Sequence, residues 1–435
     1  MENTREKLEV KQERAILVGA RLMGRLAKDG RKDDNLAELA SLVESAGAEV
    51  VDRFIQKVYK IKAATYIGSG KAKMLWDRVE RFNADVVIFD NDLSPGQIRE
   101  LEKIIETKVI DRSELILDIF ATRARTRQAK LQVELAQLEY TYPRLTRMWS
   151  HLDRVAGGSS SGGVGTRGTG EKQLEIDKRL VNKRMSELKR ELKTIDKRKL
   201  REIDGRKGLY KVSLVGYTNA GKSTLMNAIT DAGVFVKNQL FATLDTRTKK
   251  WQIEGGSEVL LSDTVGFVSY LPHQLVESFK ATLEEAVNAD LLLHVIDVSS
   301  EEVFEQIASV EKVLKEIGCD EKDMLILLNK SDVVSSMSAV ESLQTIYPGS
   351  ICVSAKTGLN IEKVAAAVLA KYKGGDADIT VRCHASQGKV QSFLRAHAEI
   401  QSEEYEESEV IIKARIGKSQ LPGLRKICPD GIEMR

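Results

Sequence analysis

Cysteines are few in this 435-residue chain, and long apolar runs are missing from it. The four cysteines form no C-x-x-C pair, which excludes zinc-finger spacing and a disulfide framework: Cys319, Cys352, Cys383 and Cys428. The longest apolar run, ADLLLHVIDV, is far shorter than the roughly 20 residues of a membrane-spanning helix. The N-terminus mixes acidic and basic residues and has no signal-peptide pattern. We therefore expect a protein of the reducing cytoplasm, without a transmembrane segment.

Charge is distributed unevenly along the chain. The formal net charge is +3, but residues 121–210 hold 22 Lys/Arg against 11 Asp/Glu, a net of +11, which leaves −8 for the remainder. Such asymmetry indicates a polyanionic partner for one module, the alternative being a solvated helical face. The length and the hydrophobic content of 42% are typical of a soluble protein with several domains.

Four domains are predicted along the chain. Residues 1–121 alternate strand-like runs such as AILVGA and ADVVIFD with amphipathic segments, which predicts a small α/β domain with a mostly parallel sheet. Residues 208–373 show a doubly wound α/β pattern with buried-strand candidates such as KVSLVGY and MLILLNKSD. Residues 374–435 contain the strand ITVRCH, the helix GKVQSFLRAHAEI and the strand SEVIIKARI, and they predict a small α+β domain.

Residues 122–207 form the remaining domain, which is strongly basic and helical in pattern. Its first half carries an apolar stripe that Pro143 should disrupt or kink: Leu131, Leu135, Leu138 and Tyr142. Its second half carries an apolar seam repeated every seven residues: Leu174, Val181, Leu188 and Ile195. The stretch GGSSSGGVGTRGTG, residues 157–170, separates the two halves. We predict an antiparallel two-helix arm with a glycine-rich tip.

The motif GYTNAGKST begins at Gly216, after the strand KVSLV and before the helix TLMNAI. It matches G-x-x-x-x-G-K-[ST] in the strand–loop–helix setting of a phosphate-binding loop. Backbone N–H groups of such a loop surround a β-phosphate, Lys222 reaches the β- and γ-oxygens, and the Ser223 hydroxyl ligates Mg²⁺. The alternative, a glycine turn without function, does not explain the lysine and the hydroxyl together.

Three later motifs at strand ends indicate which nucleotide is bound. DTVG, beginning at Asp263, offers a carboxylate that holds Mg²⁺ through water and the Gly266 N–H for a γ-phosphate. In NKSD the Asp332 carboxylate accepts hydrogen bonds from guanine N1 and N2, a donor pair that adenine lacks. In SAK, residues 354–356, the Ala355 N–H is placed to contact guanine O6. The order of these motifs predicts guanine nucleotide binding.

Hydrolysis requires a closing threonine and an aligned water. FATLDTRT offers Thr243, Thr246 and Thr248, and the spacing does not choose among them. Many GTPases place a glutamine directly after the D-x-x-G glycine, but Phe267 occupies that position and cannot bind water. No arginine finger is evident within the chain, so we expect slow intrinsic hydrolysis.

Several smaller features have two interpretations each. IGSGK, residues 67–71, lacks the upstream glycine of a phosphate loop, and we favour a helix-entry turn over a second nucleotide site. His294 lies in an apolar strand and is interpreted as a core residue and not as a catalyst. His273 follows DTVG in the segment YLPH, and we favour a response to the nucleotide state over a catalytic role. The following arginines are candidates for contacts to the phosphates of a polyanionic partner, with a solvated helical exterior as the alternative: Arg123, Arg125, Arg127, Arg144, Arg147, Arg154 and Arg167.

Over most of residues 15–365 the sequence resembles the HflX GTPases. The resemblance is carried by TYIGSGK, LSPGQIRELE, the segment from VIDRSEL to YTYPRL, GGVGTRGTGEKQLE, GYTNAGKSTL, FATLDT and DTVGFVSYLPHQLVESF. It implies an N-terminal α/β part with a two-helix arm, binding to the large ribosomal subunit, ribosome-stimulated hydrolysis, and dissociation of stalled or idle ribosomes under stress. Departures from the family pattern are Thr169, Lys172 and the TRT after TLD.

The resemblance makes FATLD the first switch and favours Thr243 as a Mg²⁺ ligand beside Ser223. We predict catalytic roles for Lys222, Thr243 and Gly266. The predicted GTP/GDP site comprises the following residues: Gly216, Tyr217, Thr218, Asn219, Ala220, Gly221, Lys222, Ser223, Phe241, Ala242, Thr243, Leu244, Asp245, Asp263, Thr264, Val265, Gly266, Asn329, Lys330, Ser331, Asp332, Ser354, Ala355 and Lys356.

Three functions compete at this stage. The first is a ribosome-associated GTPase, a monomer when free, whose basic arm and glycine-rich tip contact ribosomal RNA and not DNA. The second is a signalling switch whose effector is another protein. The third is an ATP-driven helicase-like factor, which the absence of helicase motifs and the NKSD sequence both disfavour.

Overall fold

The computed structural model of the chain describes residues 12–23, 36–156, 169–204, 209–230, 241, 247–253, 257–268, 283–334, 337–406, 409–429 and 431–434. The chain divides into two compact units: a first unit of residues 1–205, 237–245 and 265–284, and a second unit of residues 206–236, 246–264 and 285–435. The predicted multidomain α/β architecture is confirmed. None of the helices within the described ranges is long and apolar enough to cross a membrane.

The first unit is built on a parallel four-stranded sheet of order β2-β1-β3-β4. Its strands are β1 (Arg14–Leu22), β2 (Glu49–Val58), β3 (Val86–Phe89) and β4 (Lys108–Asp111). Its first helices are α1 (Ala37–Ala46), α2 (Ser69–Phe82), α3 (Pro95–Ile105) and α4 (Arg112–Arg123). Helix α3 begins with a capping box, in which Ser94 and Gln97 exchange side-chain and backbone hydrogen bonds, as its sequence favours.

Buried ion pairs join the carboxyl ends of these strands. Arg21 at the end of β1 and Arg112 at the start of α4 both donate to Asp90, at 3.0 Å and 2.7 Å. All three side chains are at most 8% exposed. Removal of one partner would leave a buried charge uncompensated, so this network fixes the first turn of α4 against β1 and β3.

Two long helices follow, α5 (Arg127–Ala156) and α6 (Thr169–Asp204). The predicted apolar seams meet in one cluster of buried leucines: Leu131, Leu135, Leu188 and Leu192. Ion pairs flank this cluster, and Arg184 of α6 donates to Glu134 of α5 from two nitrogens, at 2.7 and 2.9 Å. Of the two predicted effects of Pro143, disruption of the helix is wrong, because α5 continues through it to Ala156, and a kink stays a prediction. A single missing N–H is tolerated where flanking turns and packing hold the helix.

The root of α5 is anchored to the sheet by Asp111 at the end of β4. This carboxylate, 1% exposed, accepts hydrogen bonds from the Tyr140 hydroxyl at 2.5 Å and from Arg144 at 3.0 Å. Arg144 also donates to Glu114 at 3.0 Å. The guanidinium of Arg144, which we predicted among the RNA contacts, is instead engaged in internal ion pairs, because two carboxylates converge on it.

The second unit contains a six-stranded sheet of order β10-β9-β8-β5-β7-β6, parallel except for the antiparallel pair β6–β7. Its strands are β5 (Tyr210–Val215), β6 (Arg247–Ile253), β7 (Ser257–Asp263), β8 (Leu291–Asp297), β9 (Met324–Asn329) and β10 (Ile351–Cys352). Its helices are α7 (Lys222–Thr230), α8 (Glu284–Val287), α9 (Val303–Glu316), α10 (Met337–Ile346) and α11 (Ile361–Lys373).

A second sheet in this unit is antiparallel, with the order β12-β13-β11-β14. Its elements are β11 (Asp376–His384), α12 (Gly388–His397), β12 (Ala398–Glu406), β13 (Glu409–Gly417), a 3-10 turn (Lys418–Gln420), α13 (Leu421–Ile427) and β14 (Ile432–Met434). The sequence AEI, predicted at the end of a helix, lies in β12, because its backbone pairs with β13. Helix α13 and strand β14 were not predicted.

Candidate nucleotide-binding site

The predicted phosphate loop lies at the point where the chain order of the second unit's main sheet reverses. Strand β5 has β8 on one side and β7 on the other, and the loop from Gly216 to Gly221 joins it to α7. Ligands of open α/β sheets bind outside the carboxyl ends of the strands at such a point. Strands β7, β8 and β9 end at the same edge, so Asp263, Asp297 and Asn329 are gathered there.

Two glycines of the loop are required by close backbone approaches. Gly216 has φ +148°, and a Cβ there would come within 2.3 Å of the Val295 backbone oxygen. Gly221 has φ +95°, and its Cβ would come within 2.3 Å of the Asn329 side-chain nitrogen. Any larger residue would push β8 or the NKSD segment away from the loop.

Lys222 is buried beneath this loop, 6% exposed. Its ammonium donates to the backbone oxygens of Gly216 at 2.9 Å and Tyr217 at 2.8 Å. Burial lowers the pKa of Lys222 to about 8, and the Asp263 charge opposes that shift. The lysine therefore sits in a desolvated position where an anionic phosphate would be a strong partner.

Ser223 and Asp263 meet at the base of the loop, where the Ser223 hydroxyl donates to the Asp263 carboxylate at 2.6 Å. Hydroxyl and carboxylate oxygens are hard ligands of the kind that Mg²⁺ prefers. Over the described part of the chain, no group of three His, Cys, Asp or Glu forms a metal cage. The pair thus fits a Mg²⁺ ion that takes its other ligands from phosphate and water, as nucleotide-bound Mg²⁺ does.

Asn329 of NKSD connects two of the predicted nucleotide motifs. Its side-chain nitrogen donates to the Ala220 backbone oxygen at 2.7 Å, and its side-chain oxygen accepts from the Ala355 N–H at 3.0 Å. The residue is 1% exposed. The Ala355 N–H, which we predicted to contact guanine O6, is thus engaged by Asn329 and would have to share or exchange that acceptor.

The rest of NKSD is held by neighbouring strands. Lys330, at φ +62°, forms an ion pair with Asp297 at the end of β8, at 2.6 Å. The Ser331 hydroxyl donates to the Val353 backbone oxygen at 2.8 Å. Asp332 is exposed, so its carboxylate is open to a ligand. Asp297 was not predicted as a site residue. It lies at the end of the predicted strand DLLLHVIDV, and in the sheet it lies opposite Asn329 of NKSD.

The SAK segment is partly buried. The Ser354 side chain is fully buried, and its hydroxyl accepts from the Thr357 N–H at 3.2 Å, forming a tight turn. Lys356 is exposed at the edge of this turn. In the loop itself Tyr217, Thr218 and Ala220 are buried, while Asn219 is exposed at φ +61°.

The switch segments are described only in part. Thr248 lies in β6, with its hydroxyl 2.9 Å from that of Ser262, so it belongs to a strand ladder and not to a closing loop. Ala242, Thr243, Leu244, Asp245 and Thr246, together with His273 and the glycine-rich residues 157–168, lie outside the described residues.

Phe241 is buried in the first unit. Its ring meets that of Phe120 edge-on, with centroids 4.6 Å apart, and its φ is +56°. The Phe241 side chain is 2% exposed, and its contact with a nucleotide stays a prediction. Thr264, Val265, Gly266 and Phe267 are all buried, and Phe267 is 2% exposed.

His294 is a buried neighbour of Lys222 that the sequence identified only as a core residue. It is 1% exposed in β8, and its Nδ1 has no hydrogen-bond partner among the residues that the structure describes. Burial, together with the positive charge of Lys222, lowers the pKa of His294 to about 4. The imidazole is therefore neutral at physiological pH.

Three family profiles match successive parts of the chain. They are described as "GTP-binding GTPase N-terminal" over residues 33–121, "GTP-binding GTPase Middle Region" over residues 123–206 and "50S ribosome-binding GTPase" over residues 211–330. The last of these covers the phosphate loop, DTVG and the start of NKSD.

Individual relatives span nearly the whole chain. GTPase HflX of Lacrimispora saccharolytica is 39% identical over 419 residues, covering 94% of this chain and 96% of the relative. GTPase HflX of Escherichia coli K12 is 42% identical over 380 residues, covering 86% and 87%. A GTP-binding protein of Sulfolobus solfataricus, solved in complex with GDP, is 25% identical with a TM-score of 0.43, covering 82% of this chain and 98% of that one. By its identity to relatives of nearly full length, this chain belongs to the HflX GTPases and is a GTP-binding, GTP-hydrolysing enzyme.

Proposed function

We propose that this GTPase binds the large ribosomal subunit and, in its GTP state, dissociates stalled or idle ribosomes under stress. The observation that carries the proposal is the match of residues 211–330 to the 50S ribosome-binding GTPase family. The net charge of +11 over residues 121–210 supports a polyanionic partner. A ribosomal partner also implies the cytoplasmic location that the scattered cysteines predict.

The nucleotide contacts follow from the loop geometry. Gly216 to Lys222 would surround the phosphates, with Lys222 turning its ammonium from the loop carbonyls to the β- and γ-oxygens. The exposed Asp332 would select guanine through N1 and N2. Ser354, Ala355 and Lys356 would border the base. Thr243 and Gly266 remain predictions as the residues that respond to the γ-phosphate.

Mg²⁺, when bound, would neutralise phosphate charge, and Ser223 is its proposed ligand from the described residues. The hydroxyl that now donates to Asp263 would turn its lone pairs to the ion, while Asp263 would act through water. Thr243 is the second proposed ligand, on the family resemblance alone.

Intrinsic hydrolysis should be slow and stimulated by the ribosome. The side chain directly after the D-x-x-G glycine is a phenyl ring, that of Phe267, which is 2% exposed and has no polar atom to orient water. A partner must then order the water and the switch segments. Fast multiple turnover by the purified protein without ribosomes would contradict this expectation.

We further propose that the chain uses residues 122–207 as a basic arm, beside an N-terminal domain of residues 1–121, a GTPase domain of residues 208–373 and a C-terminal domain of residues 374–435. Part of the arm's charge is internal, since Arg127, Arg184 and Lys189 pair with glutamates of the opposite helix. Other exposed cations of α6 form no ion pair within the described residues, and they are the proposed RNA contacts: Arg179, Lys183, Arg190 and Lys193.

Co-sedimentation with large ribosomal subunits tests the function. The protein loaded with a non-hydrolysable GTP analogue should pellet with the subunits at low salt and be released as salt is raised. Changing Arg179, Lys183, Arg190 and Lys193 together to Gln should weaken the association and leave GTP affinity unchanged. If the protein does not pellet with the subunits in either nucleotide state, the ribosomal function is wrong, and a signalling switch with a protein effector is the function to test next.

A further inference from the structure

A lysine-rich surface lies at the carboxyl end of β2, apart from the basic arm. No Asp or Glu occurs from Arg53 to Trp76, whereas five lysines fall in this segment. We call them the lysine edge: Lys57, Lys60, Lys62, Lys71 and Lys73. This clustering is stronger than in the chain as a whole, where basic and acidic residues are nearly balanced at 67 to 64.

The lysine edge is solvent-facing and electrostatically uncompensated. Four of the five lysines are exposed and Lys71 is half-buried. No ion pair to any of them occurs in the parts of the unit that the structure describes, although Arg78 on the neighbouring helix surface does pair with Asp52 at 2.6 Å. Five positive charges in one segment, none of them paired with a carboxylate of the described residues, attract a polyanion.

Backbone contacts bring the two ends of this segment together. Lys62 and Tyr66 exchange backbone hydrogen bonds at 3.0 Å in both directions, which closes the loop after β2. Gly68 then lies beside the Lys62 side chain, since a Cβ on Gly68 would be 3.8 Å from Lys62 Cγ. Helix α2 begins at Ser69 and places Lys71 within its first turn. Lys62 of the loop therefore lies beside the start of α2, whose first turn carries Lys71.

Two exposed side chains, Tyr59 and Ile61, lie between the loop lysines of the lysine edge. Tyr59 is 77% exposed and Ile61 is 39% exposed, and they alternate with Lys60 and Lys62 along the loop. An exposed aromatic ring between cations is the arrangement with which proteins stack an unpaired base while binding its phosphates. A purely solvated lysine surface would not require an exposed aromatic ring.

The IGSGK motif belongs to this surface and not to a second phosphate loop. Strand β2 ends at Val58 and α2 begins at Ser69, inside the IGSGK motif, so the motif does not form the strand-to-helix loop of a phosphate-binding site. Gly68, at φ +93°, instead provides the turn into α2, and the N-cap makes no side-chain hydrogen bond.

We propose that the lysine edge, with Tyr59 at its centre, is an RNA-binding surface that takes a single-stranded or looped segment, with the lysines on the phosphates and Tyr59 against one base. The inference deepens the proposed function, because it rests on a ribosomal partner for the identity of the RNA. It places a second RNA contact on the N-terminal domain, independent of the two-helix arm.

Binding of the full-length protein to a fluorescent oligouridine of about 12 nucleotides, a length suited to such grooves, tests the surface directly. Changing Lys60, Lys62 and Lys71 together to Gln should lower the slope of log affinity against log salt by about 2, because each lysine–phosphate pair on a single strand contributes about 0.7 to that slope. Tyr59→Ala should weaken binding about tenfold with the slope unchanged, and Tyr59→Phe should retain wild-type affinity.

Matched controls use exposed lysines elsewhere. Changing Lys312, Lys363 and Lys389 together to Gln removes the same charge and should leave affinity and slope unchanged. All these side chains are exposed or half-buried. Folding of both units is checked by an unchanged circular dichroism spectrum and an unchanged thermal unfolding transition. Equal loss of RNA affinity in both triple variants would mean that only the net charge of the protein matters, and it would overturn the proposal. Binding of the wild-type protein to acidic lipid vesicles but not to RNA would also overturn it.

The same variants are then measured on large ribosomal subunits. Weakened binding to oligouridine and subunits alike supports both proposals. If wild type binds oligouridine through the lysine edge but not the subunits, the ribosomal function fails while the RNA surface stands. If wild type binds the subunits and the lysine-edge variants match it on both ligands, the surface proposal is wrong and the ribosomal function is unaffected.

Discussion

The side-chain amide of Asn329 donates to the backbone oxygen of Ala220 across 2.7 Å, joining the base-recognition segment to the phosphate loop. The same amide accepts from the Ala355 N–H, so three segments far apart in sequence depend on one buried side chain. A substitution of Asn329 should thus weaken the binding of both the phosphates and the base of the nucleotide.

Asn329→Ala should weaken GDP and GTP binding by about 1–3 kcal/mol, because the Ala355 N–H and the loop carbonyl would be left without their buried partner. Fluorescent-nucleotide titration measures the change. Asn360→Ala is the matched control, since the Asn360 amide donates to the Cys352 backbone oxygen at 2.8 Å away from the loop. Equal nucleotide affinities for the two variants would contradict the role of Asn329.

Asp332→Asn should exchange guanine for xanthine selectivity. The carboxylate can only accept from guanine N1 and N2, whereas the amide of Asn can donate to the C2 carbonyl of xanthine. Loss of hydrogen bonds to a charged group costs about 1.5–3 kcal/mol each, so GTP affinity should fall at least tenfold while XTP affinity rises. Competition between the two nucleotides measures the ratio, with Asp320→Asn on the exposed surface as the control.

GDP affinity should decrease as pH rises above about 8. Below the free-state pKa of about 8, Lys222 is already protonated and binding takes up no proton. Above it, binding must protonate the lysine, because the phosphate raises its pKa, so affinity falls toward tenfold per pH unit. Titrations from about pH 7.2 to about 8.8 follow the effect. Lys222→Met should bind weakly and show a flat profile, and a sloping profile there would exclude Lys222 as the source.

The folded state should lose stability as pH falls below 6.5, because His294 is neutral when buried. Its pKa is about 4 in the folded state against an ordinary 6.5, so the unfolded chain binds the extra proton in this window. The expected decrease in the free energy of unfolding is about 2 kcal/mol between about pH 6.5 and 5. Urea unfolding at several pH values measures it. His294→Phe should reduce that decrease, whereas the exposed His384→Gln should retain it; equal pH dependence in His294→Phe and wild type would exclude His294.

Much of the nucleotide site could be predicted from the sequence, because its residues are fixed by local geometry. The pattern from Gly216 to Ser223 specifies a strand, a glycine turn and a helix, and the structure has β5, the loop and α7 in that order. The two obligatory glycines are explained by contacts that the sequence does not contain, those of Gly216 with Val295 and of Gly221 with Asn329.

Other features depended on long-range contacts. The Lys330–Asp297 ion pair, the burial of Phe241 against Phe120 and the pairing of Arg144 with Asp111 each join residues more than 30 positions apart. Periodicity gives the exposed or buried side of a helix but not the partner of an individual charge. For that reason Arg144 was predicted to contact RNA, whereas in the fold it pairs with Asp111 and Glu114 and holds α5 against the sheet.

The sequence alone determined the GTPase chemistry, since phosphate loops and guanine-selecting carboxylates are encoded in a few adjacent residues. Only the tertiary structure decided which of the many cations remain available for a partner. Charges on the helices of the arm are partly neutralised by glutamates that pack opposite them. The segment of the lysine edge from Arg53 to Trp76 contains no acidic residue, and its lysines form no ion pair within the described residues. Electrostatic potential depends on distance in space, and the fold sets those distances.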